Sequence, residues 1–172
     1  MSKTSYKERR LSDKMKHEAV TLGLCAQWTA EWQDGTSKDD MVEKFVEGID
    51  FCIQHNWPSV EVMKKSFGDV IHRHGVYVDE STSLLNPSTA IFNGHCDASV
   101  ICRDYAVSNI YVRHKSKVRI TAGDQSYVRV NLYDDSEATI HCEGSARCFV
   151  YHYGGRLTSE GRVTVRERVN YP

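Results

Sequence analysis

The residues that could carry chemistry in this chain fall in short, separated groups. His72 and His74 flank Arg73 just before Gly75, a spacing that could present two imidazoles to one metal ion. Two ligands do not make a site, and no CxxC or HExxH pattern joins them. At a helix end an imidazole is also favoured by the helix dipole. His95 and Cys96 adjoin Asp97, an arrangement that could activate a thiol. Asn93-Gly94 ahead of them reads as a turn, however, and Cys96 stands ten residues before the small residue Ala106, so it is expected as a buried small side chain. His141, His152 and Tyr153 lie on adjacent segments, with His152 expected inward and satisfied by neighbours rather than shuttling protons. Asp124, Asp134 and Asp135 offer carboxylates at positions where Asp serves tight turns. The Gly/Asp nonapeptide of calcium-binding rolls is missing. No catalytic residue, metal or cofactor is expected.

One constellation stands out: Tyr111, Arg113, Arg129, Asn131, Tyr133, Phe149, Tyr151 and Tyr153. Tyr and Arg are enriched where partners bind, so these residues read as a flat contact surface. Stacked tyrosines also stabilise a sheet with no partner at all. A second copy of the chain is the simplest partner, since a flat face is readily self-complementary about a two-fold axis, and another protein is the next. The alternative is a binder of glycans or small ligands, including a signalling nucleotide with Arg113 and Arg129 on its phosphates. An enzyme such as a lyase on a β-helix ranks last, because it calls for a longer scaffold and a groove of clustered charges.

What must position this constellation is a repeat. Val100, Ile110, Ile120, Val130, Ile140 and Val150 recur every ten residues. Beside them run a small column (Ala106, Ser116, Ser126, Ser136, Ala146), a mostly apolar one (Ser108, Val118, Val128, Ala138, Cys148) and a mixed one (Cys102, Val112, Ala122, Leu132, Cys142, His152). All occupy even positions, the alternation of half-buried strands, so even residues are expected inward and odd ones outward. Asp104, His114, Asp124, Asp134, Gly144 and Gly154 close each unit with turn formers. A β-solenoid explains why each column keeps its chemistry, because each column is then a physical ladder; the alternative is an antiparallel meander or sandwich. With two units per rung, Tyr111, Asn131 and Tyr151 form one outward ladder, Arg113, Tyr133 and Tyr153 a second, and Asn109, Arg129 and Phe149 a third. The register is expected to slip at Gly154-Gly155, before one or two terminal strands.

Residues 1–78 read as a small helical domain, polar and frayed over 1–10 and helical from about Ser12, with Gly23 allowing one long helix or two. Its expected task is to cap the solenoid's first rung through an interface to which the Trp residues contribute. Residues 79–90, rich in Ser, Thr, Asn and Pro, read as a linker, and 91–172 as the solenoid. The fold class is thus α+β, a helical segment capping a short C-terminal β-solenoid. The 172 residues carry a net charge of −1, so no global pull toward nucleic acid or anionic membranes is expected. The six cysteines read as reduced thiols and no apolar secretory segment is visible, which together suggest a cytoplasmic protein.

The stretch VSNIYVRHKSKVRITAGDQSYVRVNLYDDSEATIHCEGSARCFVYHYGG resembles the Ser-rich ten-residue repeats of bacterial adhesin-head (GIN-type) solenoids. It is also similar to bacterial and prophage-encoded proteins that join a small helical segment to such repeats. The resemblance covers about 65 residues and implies a β-solenoid in a non-enzymatic interaction or assembly module of bacterial or prophage origin. The chain departs from the adhesin pattern in its helical N-terminus, and no functional residue is carried over.

Overall fold

A computed structural model describes residues 5–170, which divide into two compact units between His74 and Gly75. The first contains α1 (Tyr6–Thr21), α2 (Ala26–Glu31), α3 (Lys38–Glu47), α4 (Ile49–His55), α5 (Val60–Phe67) and a 3-10 turn (Gly68–His74). Helix α1 starts earlier than expected, because Ser5 and Glu8 form a capping box in which each side chain accepts the other's backbone N–H. Ser12, the expected cap, is instead buried and accepts a hydrogen bond from Trp32 Nε1 at 3.0 Å. Gly23, at φ 99°, lets the chain leave α1 after Thr21, which settles the choice in favour of two helices. The buried set of this unit, including Met15, Ala19, Met41, Phe45, Ile49, Ile53, Met63 and Phe67, recurs at helical spacing.

The second unit is a two-sided β-solenoid. Its strands are β1 (Val76–Val78), β2 (Ser81–Leu85), β3 (Thr89–Asn93), β4 (Asp97–Cys102), β5 (Val107–Val112), β6 (Lys117–Ala122), β7 (Tyr127–Leu132), β8 (Glu137–Cys142), β9 (Arg147–His152), β10 (Arg156–Gly161) and β11 (Val163–Glu167). Odd-numbered strands form one six-stranded sheet, sheet A, and even-numbered strands form the five-stranded sheet B. Every pairing is parallel, and the central ones are offset by twenty residues, as in Val118↔Ala138 and Val128↔Cys148. One rung is therefore two ten-residue units, and the meander is excluded. Val100, Ile120 and Ile140 from sheet B meet Ile110, Val130 and Val150 from sheet A in a single buried core.

Residues 79–90 are not a linker. Strand β2 lies inside them, pairing Ser81 with Asp97 and Leu84 with Val100. The Ser/Thr richness belongs to a strand with a wet outer side, and the turn chemistry lies at its two ends, at left-handed Asp79 before it and at Asn86-Pro87-Ser88 after it. The solenoid accordingly begins at Gly75, and Val76–Val78, which the sequence offers as a first short strand inside the 1–78 segment, is the first strand of sheet A. At the other end the register shortens as expected: Leu157 pairs with Ala138 and Val165 with Val150, offsets of nineteen and fifteen. Gly155 allows this closure, since a Cβ there would stand 2.3 Å from the Ser136 carbonyl oxygen.

The corners explain the remaining columns. Asp104, His114, Asp124 and Asp134 all have φ between 56° and 58°, the left-handed region that Asp tolerates better than most residues. The side chains of His114, Asp124 and Asp134 also reach across to the preceding rung. Asp104 N–H donates to Asp124 Oδ2 at 2.8 Å, His114 N–H to Asp134 Oδ2 at 2.8 Å, and Gly94 N–H to His114 Nδ1 at 3.0 Å. Donors that no strand could satisfy are thus capped rung by rung. The serines of the small column do the same for acceptors: Ser126 Oγ donates to Cys102 O, Ser136 Oγ to Val112 O and Ser116 Oγ to Gly94 O, at 3.1–3.2 Å.

Replacing Ile120, 1% exposed, by Ala should cost about 2–5 kcal/mol of stability in urea denaturation, whereas Thr121→Ala on the exposed side should cost under about 0.5 kcal/mol. At Asp124 the expected order of stability is Asp, then Gly, then Ala. Both variants lose the cap on Asp104, and only Ala adds the left-handed strain of about 1 kcal/mol. Urea midpoints of the three proteins check that order.

Candidate functional site

The registers put Val107, Asn109 and Tyr111 of β5, Tyr127, Arg129 and Asn131 of β7, Arg147, Phe149 and Tyr151 of β9, and Thr164 and Arg166 of β11 on the outward face of sheet A. Parallel stacking brings like side chains within contact up the rungs. Tyr127 stacks on Phe149 with ring centroids 5.3 Å apart. Tyr151 lies between two guanidiniums, Arg129 at 6.0 Å and Arg168 at 5.3 Å from its ring centre. Asn131 Nδ2 donates to Asn109 Oδ1 at 3.1 Å, and Asn109 Nδ2 donates to the Tyr111 hydroxyl at 3.0 Å. Both amides are thereby oriented, and Asn131 is 7% exposed, supporting the face rather than presenting itself.

The expected ladder of Arg113, Tyr133 and Tyr153 is not part of this surface. Strands β5, β7 and β9 end at Val112, Leu132 and His152, so these three residues sit in the corner, where odd and even no longer mean out and in. Arg113 is 2% and Tyr133 1% exposed. Arg113 Nη1 donates to Asn93 Oδ1 at 3.0 Å, and Tyr133 stacks on Tyr153 with centroids 4.6 Å apart and planes 12° from parallel. Arg113 is therefore a structural corner residue and does not reach a ligand on the face. In its place the face carries Arg147, Arg166 and Arg168, together with Tyr127, which sequence reasoning missed. The column Val107–Tyr127–Arg147 was readable from the same period, but it begins with an unremarkable Val.

The two faces differ in charge. On sheet B, Arg119 pairs with Asp97 at 2.9 Å, Lys117 with Glu137 at 3.5 Å, and His141 with Glu160 at 3.2 Å and Glu143 at 3.3 Å. On sheet A no outward position of β5, β7, β9 or β11 holds a carboxylate. Glu167, next to Arg166, is turned to His152 at 2.9 Å. Among the described residues Arg147 and Arg166 have no acidic partner.

The other sequence-level candidates separate. Asp39 Oδ1 lies 3.2 Å from His74 Nε2 and 3.5 Å from Arg73 Nη1, the latter an exposed ion pair. His95 lies 3.7 Å from Asp79, while the Cys96 thiol, 2% exposed, donates to the Asn93 carbonyl at 3.3 Å. Burial pushes the Cys96, Cys102 and Cys148 thiols up, away from the reactive thiolate. No group of three His, Cys, Asp or Glu among the described residues could hold a metal ion. None of the described helices is long and apolar enough to cross a membrane. No family model, curated protein or solved structure matches the chain.

His114 is held below the ordinary value of 6.5, by burial first and the Arg113 charge second, against the pull of Asp134 and Asp79. Its Nδ1 accepts the Gly94 N–H, which requires the neutral ring. The unfolded chain therefore binds a proton at His114 more readily than the folded one, and the stability His114 supplies is lost as pH falls below about 6.5. His141 and His152 are raised and act in the opposite sense, so the difference between wild type and His114→Asn isolates the effect. Urea midpoints measured between pH 7 and pH 5 should show wild type losing more stability than the variant.

Proposed function

We propose that this chain is a non-enzymatic interaction module whose β-solenoid holds a contact surface on the outward face of sheet A. The observation that carries the reading is the pairing of order with unneutralised charge. Tyr127, Phe149 and Tyr151 are locked in stacks up the rungs, and Arg129, Arg147 and Arg166 stand among them with no carboxylate on the face. Preorganised side chains lose little entropy on binding. The outward positions also offer no imidazole, thiol or carboxylate that could move a proton, which supports binding over catalysis. Charge bears on the partner as well. Two copies pressed face to face about a two-fold axis would set arginine against arginine, so the reading favours an acidic partner over a second copy.

The test is site-specific photo-crosslinking in cells of the native source. A photoreactive phenylalanine replaces Val107, on the outward face of sheet A, or Thr121, on the outward face of sheet B. A discrete adduct from position 107 and none from 121 is expected. Adducts from 121 alone, or from neither position, would overturn the assignment.

A further inference from the structure

The partner's chemistry can be taken further, on the footing that the outward face of sheet A is the contact surface. We infer that this face docks on the phosphodiester backbone of a nucleic-acid duplex, through Arg129, Arg147, Arg166 and Arg168. The cations on it are all arginines, whose planar forks meet phosphate oxygens two at a time. Arg129, Arg147 and Arg166 come from three successive strands of sheet A, β7, β9 and β11, spaced about 4.8 Å apart. They do not lie in a line. Arg129 aligns with Phe149, Arg147 with Tyr127 two positions back, and Arg166 with Tyr151 two positions forward. The charges therefore spread over a patch about 10 Å by 13 Å, given the strand spacing and a rise of about 3.3 Å per residue. A single extended acidic peptide presents its charges in a row and would meet only part of such a patch; the two phosphate rows of a duplex meet all of it.

The aromatic groups argue in the same direction. Single-stranded nucleic acid is held by bases stacking on free ring faces. Here Tyr127 and Phe149 occupy each other, and Tyr151 lies between Arg129 and Arg168. Tyr151 braces the guanidiniums of Arg129 and Arg168, and recognition falls on the backbone alone, without base readout. The chain's net charge of −1 does not oppose this, because the opposing charges sit elsewhere: Asp97, Glu137 and Glu160 are engaged on sheet B. What the duplex meets is the local field.

The experiment is fluorescence anisotropy of the full chain with a labelled mixed-sequence DNA duplex, its single strand, a polyglutamate peptide and anionic lipid vesicles. Duplex binding is expected to be tightest, indifferent to sequence, and weakened about 40- to 150-fold between 50 and 200 mM salt, as three or four neutralised phosphates require. Arg129→Glu/Arg147→Glu/Arg166→Glu should lower affinity at least 100-fold. Arg147→Glu/Arg166→Glu, which leaves the Arg129–Tyr151 stack intact, should lower it at least tenfold. Arg119→Glu on sheet B should change it less than threefold. Failure to bind duplex, or duplex binding unaltered in both arginine variants, would overturn the inference. If polyglutamate or vesicles bind better than duplex and lose binding in the same variants, the duplex is wrong while the contact face stands. If nothing binds and photo-crosslinks from position 107 are also missing, the face itself is wrong.

Discussion

The offset of twenty residues between parallel neighbours is the constraint on which the solenoid depends. Once Val118 is paired with Ala138 and Val128 with Cys148, every later residue is placed above its counterpart one rung earlier. Each side chain then meets its own column above and below, and the chemistry of a position becomes a property of the column. Isoleucines and valines gather into a continuous core for this reason. The corners must obey the same offset. There the backbone bonds from rung to rung only in part, as in Gln125 N–H to Asp104 O, and the side chains of His114, Asp124 and Asp134 with inward serines supply further partners, again one rung apart.

Column logic also sorts charge. On sheet B the outward ladder Asp97–Lys117–Glu137–Arg156 alternates in sign, and Lys117–Glu137 within it and Arg119–Asp97 across to its neighbour neutralise charge. Outward positions of sheet A gather rings, amides and arginines, and the stacks they form are internal to the face. A chain with nearly balanced charge thus presents two unlike surfaces. The net value describes neither of them, which is why an expectation drawn from the whole composition says little about what either sheet can bind.

Much of this was legible in the sequence, and the failures are local. The ten-residue column from Val100 to Val150 revealed the solenoid, and parity along a strand told inward from outward residues; the ladders Tyr111–Asn131–Tyr151 and Asn109–Arg129–Phe149 followed only on a rung of two units, a number the period leaves open and the registers supply. Parity fails where a strand ends. Arg113 and Tyr133 have the same odd numbers as their outward neighbours, yet the chain has already turned, and they are buried in the corner. Strand β2 was hidden for a different reason: its period is set by pairing with β4, sixteen residues on, so it falls outside the decade. At the N-terminus the Ser5–Glu8 capping box was present in the text, but its surroundings are so polar that no apolar stripe drew attention to it.

The parallel offset is tested most directly by backbone NOEs on labelled protein. In the solenoid, Hα–HN contacts link strand β6 to β8, joining the neighbourhoods of Ile120 and Ile140, and link β7 to β9 around Val130 and Val150. Backbone contacts that instead fold β6 onto β7 about Asp124, joining Ile120 to Val128 as in a hairpin, would contradict the stacked rungs and the contact face built on them.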